Sequence, residues 1–292
     1  MKSIIKLINL SKNIIKRCTP TKIYISKEFK KRTGRKLNLK NPERFTDKIQ
    51  WLKVYWRNDL AKICSDKLLV RDFVKEKIGS EYLNDLLYVY TNAYEINIES
   101  LPNTFVLKAT HGSGYNIICR NKNNINWDYE LKKLDQWCKT NYGYAKREWV
   151  YKDIKPKIIC EKYLSERNQY NLTDYKFYCF NGIPYYCQVI RGRGENETID
   201  FYDMEWNKMP FNGLRELPMS SIDYSKPKDY AKMIELAGIL SKGFPFVRVD
   251  FYYVDEKIYF GEMTFFPASG MGKFNPDIWD FKLGKLLILP NK

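Results

Sequence analysis

An α+β fold in several lobes is what the sequence predicts, and three observations carry the prediction. Helix-like segments come first and antiparallel hairpin segments later, an order that segregates helices from sheet. The chain has 292 residues, about twice a common single domain, so more than one core can form. Hydrophobic residues make up 44% of it, with 23 Tyr, 16 Phe and 7 Trp, which excludes a disordered or low-complexity polymer. No internal repeat is present.

The first 36 residues read as a basic amphipathic segment. Residues 1–40 hold 13 Lys and Arg against one acid, Glu28, so most of the net charge of +16 belongs to them. Ile4, Ile5, Leu7, Ile8 and Ile15 recur at near-helical spacing among Lys2, Lys6, Lys12 and Lys16, until Thr19-Pro20 stops the helix. Such a face suits an anionic membrane surface, at about 1 kcal/mol per basic residue near it, or equally a solvated helix packed on the body. Nucleic acid is not expected, because the basic face does not continue into the globular part.

Asn41 to Trp51 reads as a turn, a Thr46 cap and a helix burying Ile49, Leu52 and Trp56. A second helix runs from Asp66 to Lys77 and stops at Gly79. Strands follow at 105–109 and 117–120, a helix at 128–140, and a strand at 157–163. Strands 174–180 and 184–190 flank Asn181-Gly182, a two-residue hairpin turn that needs positive φ. A helix at 228–242 precedes strands at 246–254 and 258–265.

Several classes are excluded. No run approaches the roughly 18 to 20 apolar residues of a spanning helix, and no convincing secretory signal is present. Seven scattered cysteines without a C-x-x-C pair indicate a reducing compartment. One histidine, His111, cannot build a His-rich zinc site, and a Ser/His/Asp hydrolase would depend on that single imidazole.

Two constellations carry chemistry. Phe105 to Gly114 is a buried strand with a mid-strand Lys108, followed by His111, Gly112, Ser113 and Gly114; small residues let backbone N–H groups approach phosphate, and lysine adds charge. The motif is not a P-loop. In the final hairpin, Val247, Val249, Phe251, Tyr253, Tyr259 and Met263 share a core face, and Arg248, Asp250, Glu262 and Thr264 fall on the other with Phe246, Tyr252, Ile258 and Phe260. A three-residue loop Asp255-Glu256-Lys257, or an equivalent one-residue bulge, sets Asp250 opposite Glu262. Facing carboxylates need neutralising, by a divalent cation or by an ion pair with Arg248 on a solvated face. Removing one of them should then relieve repulsion. Asp174 and Lys176 share a strand face, able to reach phosphate or an acceptor or to pair across the hairpin. Arg191-Gly192-Arg193-Gly194 is either a bidentate anion site or an exposed loop.

These residues together resemble the ATP-grasp superfamily: the glycine loop after a lysine strand, Ile158-Ile159-Cys160-Glu161-Lys162-Tyr163-Leu164, and Arg248-x-Asp250 followed by Glu262. A closer resemblance is to the TupA-like ATP-grasp proteins of bacterial surface-polysaccharide and teichuronopeptide biosynthesis. It runs through Asn41-Pro42 to Trp51, Lys108 to Gly114 and Gly261-Glu262-Met263-Thr264-Phe265-Phe266-Pro267-Ala268-Ser269-Gly270, and covers residues 37–288. It implies nucleotide held between two antiparallel-sheet lobes: a helical or mixed lobe at 37–103, a small lobe with the glycine loop at 104–164, and a C-terminal lobe with the metal site at 165–292.

It also implies ATP and Mg²⁺. Lys67 and Lys108 resemble the nucleotide-binding lysines, Glu161 the ribose-binding acid, with Cys160 and Tyr163 near the adenine. Asp250 and Glu262 resemble the magnesium ligands, with Thr264 standing where many relatives have Asn, and Arg248 resembles a phosphate contact. Lys176 and Arg191 join Arg248 as catalytic candidates, and His111 is expected exposed at the loop tip until nucleotide closes it. The implied activity is a carboxylate–amine ligase working through an acyl phosphate on a cell-surface glycan or its precursor. Its partners would be a uronate-containing acceptor and an amine donor, on the cytoplasmic side of the bacterial plasma membrane. A sugar phosphotransferase, a glycosyltransferase and a non-catalytic polysaccharide- or membrane-binding adaptor are the alternatives.

Overall fold

The computed structural model describes residues 19–165, 172–194 and 196–291. The basic helix expected before Thr19 lies outside them. The rest of the first 36 residues is not a detachable tail. Helix α1 (Thr21–Thr33) buries Ile25 and Phe29 completely, against Met271 and the half-buried Leu37 and Val54, and Gly34 ends it at φ 75°. A basic exterior therefore surrounds an apolar seam that fastens it to the body.

Helix α2 (Phe45–Tyr55) starts one residue before the expected cap, and Thr46 lies inside it. The cap comes from the far end of the chain: Asp280 accepts both the Thr46 N–H (2.9 Å) and its hydroxyl (2.7 Å), and Arg35 at 3.2 Å. Phe45 beside it is a hub, its ring 4.9 Å from Phe246, 5.8 Å from Phe180 and 6.0 Å from Phe274. Helix α3 (Asp59–Ser65), capped by Asn58, was not expected. Helix α4 (Val70–Ile78) begins later than Asp66, because the Asp66 carboxylate accepts the N–H groups of Leu68 and Leu69 and holds a turn there. Gly79 stops it.

The first sheet has the order β1-β4-β2-β3, from β1 (Leu86–Tyr90), β2 (Phe105–Ala109), β3 (Asn116–Cys119) and β4 (Ile158–Lys162), all antiparallel. Strand β1 moves the lobe boundary from 103 back toward 86; half-exposed along its length, it shows no buried alternation. Helix α5 (Trp127–Cys138) covers one face, with Leu134 against Phe105, Leu107 and Cys160, and the short α6 (Tyr142–Lys146) follows.

The second sheet has the order β10-β9-β5-β6-β7, from β5 (Asp174–Phe180), β6 (Ile183–Arg191), β7 (Thr198–Tyr202), β9 (Phe246–Val254) and β10 (Lys257–Thr264). Two-residue strands β8 (Asn212–Gly213) and β11 (Phe274–Asn275) pair separately. Helix α7 (Tyr230–Ser241) packs on this sheet, and α8 (Ile278–Leu286) on α2. Asn181 and Gly182 make the expected turn at φ 51° and 83°. Among the described residues no helix is long and apolar enough to cross a membrane.

The final hairpin reaches the expected register by the second of its two routes. Its loop is Asp255-Glu256 alone, at φ 49° and 58°, not three residues. The extra residue is Gly261, a bulge between the pairs Phe260↔Phe251 and Glu262↔Asp250. A Cβ there would sit 3.0 Å from the Asp250 carbonyl oxygen, so glycine suits it. On the turn side of the bulge the faces exchange: Ile258 and Phe260 join the core near Phe251, and Tyr259 stands opposite Tyr252.

Asp280 ties the first helices to the last. Asp280→Ala should cost about 3 kcal/mol, because it removes a buried acceptor from Thr46, Arg35 and Arg44. Chemical denaturation would show a lower midpoint at unchanged slope; a midpoint equal to wild type would show that the cap carries no stability.

Candidate nucleotide and metal site

Strand alternation sorts the first sheet. Phe105, Leu107, Ile158 and Cys160 face the helix-side core, whereas Val106, Lys108 and Glu161 face the second sheet. Cys160 is therefore turned away from the cleft, and burial pushes its thiol up to about 12. Lys108 Nζ donates to Glu161 Oε2 at 2.5 Å, and Arg71 of α4, which the sequence did not single out, donates to Oε1 at 3.2 Å. The Asp66 turn aims Lys67 into the loop, where its Nζ donates to the Gly112 carbonyl at 2.5 Å. Ser113 and Gly114 line the cleft, with Gly114 at φ 77°.

His111 is not exposed. It is 2% accessible, beneath the loop, with Nε2 2.9 Å from the Trp137 carbonyl and its ring beside Tyr115, which stacks on Trp137. Burial lowers its pKa and favours the neutral ring. It contributes to holding the loop rather than to the cleft wall.

Two cavities adjoin between the sheets. One, of about 150 Å³, has apolar walls from Val106, Ile118, Tyr163, Leu164, Leu172 and Tyr252, with Glu161 at its rim. The other, of about 290 Å³, is lined by Lys67, Lys108, Lys176, Arg193, Arg215 and Arg248 against only Asp174 and Glu262. A planar base suits the first and a polyanion the second. Arg191 is absent from both; its guanidinium lies 3.6 Å over the Tyr224 ring. Gly192, at φ 64°, turns the chain so that Arg193 enters instead and donates to Asp174 at 2.5 Å.

Asp250 and Glu262 do face one another. Arg248 lies between them, donating through Nε and Nη2 to both oxygens of Asp250 at 2.7 Å, and through Nη2 to Glu262 at 3.2 Å and Thr264 Oγ1 at 3.1 Å. Lys176 adds a 2.5 Å bond to Asp250 and lies 2.9 Å from Asp174. The ion-pair alternative is thus present, with Asp250 buried and Glu262 partly open to the cleft. Burial alone would raise Glu262, but Lys67 first, then Arg248, Lys176 and Lys108, hold it at about 2.

Carboxylate oxygens are the donor type that magnesium takes, but both oxygens of Asp250 are engaged by Arg248 and Lys176, so an ion would have to replace those bonds. Among the described residues no cluster of three or more His, Cys, Asp or Glu side chains forms a cage. Two hard carboxylates beside a cationic cavity are what an ion shared with phosphates requires. Asp250 and Glu262 would hold it; the Thr264 hydroxyl is already engaged with Arg248 and Glu262.

The same charges reverse the expected effect of removing one carboxylate. Because the folded pKa of Glu262 is depressed, its stabilisation is complete above the unfolded value near 4.5 and disappears as pH falls to about 2. Glu262→Gln should therefore lower metal-free stability by about 1–2 kcal/mol at neutral pH, after allowance for cleft solvent. Denaturation curves between pH 7 and pH 2 should converge; a variant as stable as wild type at pH 7 would refute the charge balance.

No curated protein matches the chain in sequence. Among solved structures, D-alanine–D-alanine ligase from Bacillus anthracis with ATP is similar at 16% identity and a TM-score of 0.43, over 77% of this chain and 63% of the ligase. The Helicobacter pylori D-alanine–D-alanine ligase gives 13% and 0.44, over 85% and 70%. N5-carboxyaminoimidazole synthase from Aspergillus clavatus gives 11% and 0.40, over 70% and 45%. The chain thus spans under two thirds of the length of the first of these. The TupA-like ATP-grasp family model matches residues 47–288, most of the chain, and the protein belongs to that family.

Proposed function

We propose that the protein is an ATP- and Mg²⁺-dependent carboxylate–amine ligase acting on a bacterial cell-surface polysaccharide or its precursor. The arrangement that supports this most directly is the meeting of an apolar cavity and a cationic cavity at Lys108, beside two opposed carboxylates. Base, triphosphate and metal each have walls of matching chemistry there. The glycan substrate follows from the resemblance to surface-polysaccharide proteins.

A substrate carboxylate oxygen attacks the γ-phosphorus, the bond to the β-phosphate oxygen breaks, and ADP leaves an acyl phosphate. The amine then attacks the acyl carbon, inorganic phosphate departs with the C–O bond pair, and the amine loses a proton. Neither step needs a protein nucleophile. Burial holds Cys64, Cys160 and Cys179 as thiols with pKa values of about 12, and His111 lies outside the cleft. In this reading Lys67, Lys108 and Arg193 neutralise the triphosphate, and Arg248 and Lys176 the transferring group. Magnesium, when bound, adds charge neutralisation between the phosphates.

Purified protein with ATP, Mg²⁺, a uronate and an amine should release ADP and form an amide. ADP with a sugar phosphate would instead establish a phosphotransferase, and the absence of turnover with a broad panel of acids and amines would favour an adaptor. Lys108→Ala should weaken ATP binding or turnover at least tenfold, about 1.4 kcal/mol, while the chain stays folded. Unaltered ATP kinetics would remove the nucleotide assignment.

We also propose that the lysines and arginine before Thr19 attach the protein to anionic membrane. Deleting residues 1–18, and not the packed α1, should abolish salt-sensitive binding to phosphatidylglycerol vesicles and leave ATP binding unaltered. Equal vesicle binding by the truncated chain would refute this role.

A further inference from the structure

A third cavity, of about 340 Å³, lies on the other side of Arg248 and shares Ser113, Leu214, Arg248 and Ala268 with the cationic one. We infer that it is the pocket for the acid to be activated, and that it takes a substrate carrying a second anionic group, bound by Arg32 and Lys146. The inference rests on the ligase reading for its position beside the transferred phosphate. What it adds is the charge of the substrate and the use of α1, which lies outside the residues matched to the family.

The cavity is built before any substrate arrives. Its floor is the loop after β10, where Ala268, Ser269 and Gly270 take successive φ values of 47°, 59° and 61°. Non-glycine residues rarely adopt that conformation, and here the surroundings enforce it. Gln50 Nε2 donates to the Ser269 and Gly270 carbonyls at 2.8 and 2.7 Å. Lys53, fully buried, donates to the Ser269 carbonyl and hydroxyl oxygens at 2.7 and 2.6 Å. The Ser269 hydroxyl donates in turn to Glu148 Oε1 at 2.7 Å.

Glu148 is thereby committed, to Ser269 and to Lys53 at 3.5 Å. It is the single acid among the described residues lining the cavity, against Arg32, Lys146 and Arg248. Arg248 is held by Asp250 on the phosphate side, where the reacting carboxylate must lie. Arg32 comes from α1 and Lys146 from α6, elements separate from the strand that carries Arg248. Arg32 is itself half-exposed, and its ion pair among the described residues is Glu28 of its own helix at 3.9 Å, which contributes little. Three cations against one committed acid leave more positive charge than a single carboxylate balances, and a substrate with two anionic groups matches it better. The volume admits one sugar- or amino-acid-sized unit.

The test uses the full chain with AMPPNP and titrates three probes calorimetrically: glucuronate 1-phosphate, which has two anionic groups, and glucose 1-phosphate and methyl glucuronoside, which each have one. Glucuronate 1-phosphate should bind at least tenfold tighter than either. Arg32→Glu and Lys146→Glu, or the milder Arg32→Gln where reversal perturbs folding, should remove that advantage and leave AMPPNP affinity within about twofold. The assignment is overturned if the substitutions leave the advantage intact, if the singly charged probes bind as well, or if wild type binds none of the three at about 10 mM. Failure of wild type to bind AMPPNP would overturn the ligase reading itself, and this assignment with it.

Discussion

The site depends on one guanidinium between two carboxylates. Asp250 and Glu262 stand opposite across an antiparallel ladder, where like charges repel. Arg248 bonds to both and turns the repulsion into a buried network, with Lys176 completing it. That network exists only because of the extra residue at Gly261. Without the bulge, the two-residue turn would continue its register, and Glu262 would point into the core beside Val249, at several kcal/mol. One glycine therefore decides whether the hairpin carries a site or an error.

The other walls are arranged around that network by short-range devices. The Asp66 carboxylate stops α4 from starting early, and the turn it stabilises delivers Lys67 to the glycine loop and to within 3.9 Å of Glu262. One turn on, Arg71 reaches Glu161, so a single helix start serves both ends of the cleft. The lysines and arginines outnumber the acids that line the cationic cavity. Asp250, Asp174 and Glu161 each balance part of that excess through hydrogen bonds of 2.5 Å. An arriving triphosphate competes for the same cations.

How much of this was legible follows from where the signals lie. Strands β2, β5 and β9 match their expected bounds to the residue, because buried alternation and a glycine turn mark them. Strand β1 is half-exposed, and α3 and α8 have no strong apolar period, so nothing local announced them. Lys67, Lys108, Ser113, Gly114, Glu161, Lys176, Arg248 and Glu262 line the two adjoining cavities, Asp250 is bonded to Arg248 beside them, and Tyr163 lines the apolar one. Cys160 could have been set aside by the same alternation, since it neighbours Glu161 and must face the other way. Arg191 and His111 differ for tertiary reasons: a glycine redirects the strand at 192, and the stacked Tyr115 and Trp137 create a buried seat for an imidazole. Thr46 was misread as a cap because its partner, Asp280, is 234 residues away.

The basic N-terminal stretch shows why composition alone undersold its role. As a charge count it is a uniform segment, and a uniform segment suggests one job, attraction to an anionic surface. Ile25 and Phe29 divide it, because their burial fixes α1 to the body and brings Arg32 to a cavity that also touches Arg248. A charge carried on a packed helix meets a ligand at close range, whereas attraction to an anionic surface acts at long range and is screened by salt within about 8 Å. The two kinds of charge are separable by experiment for that reason: ionic strength discriminates against the second far more than the first. Under the two proposals, positive charge concentrated at one end of the sequence would serve two physically different interactions, and the part that Ile25 and Phe29 pack against the body is not marked by any change in the charge pattern.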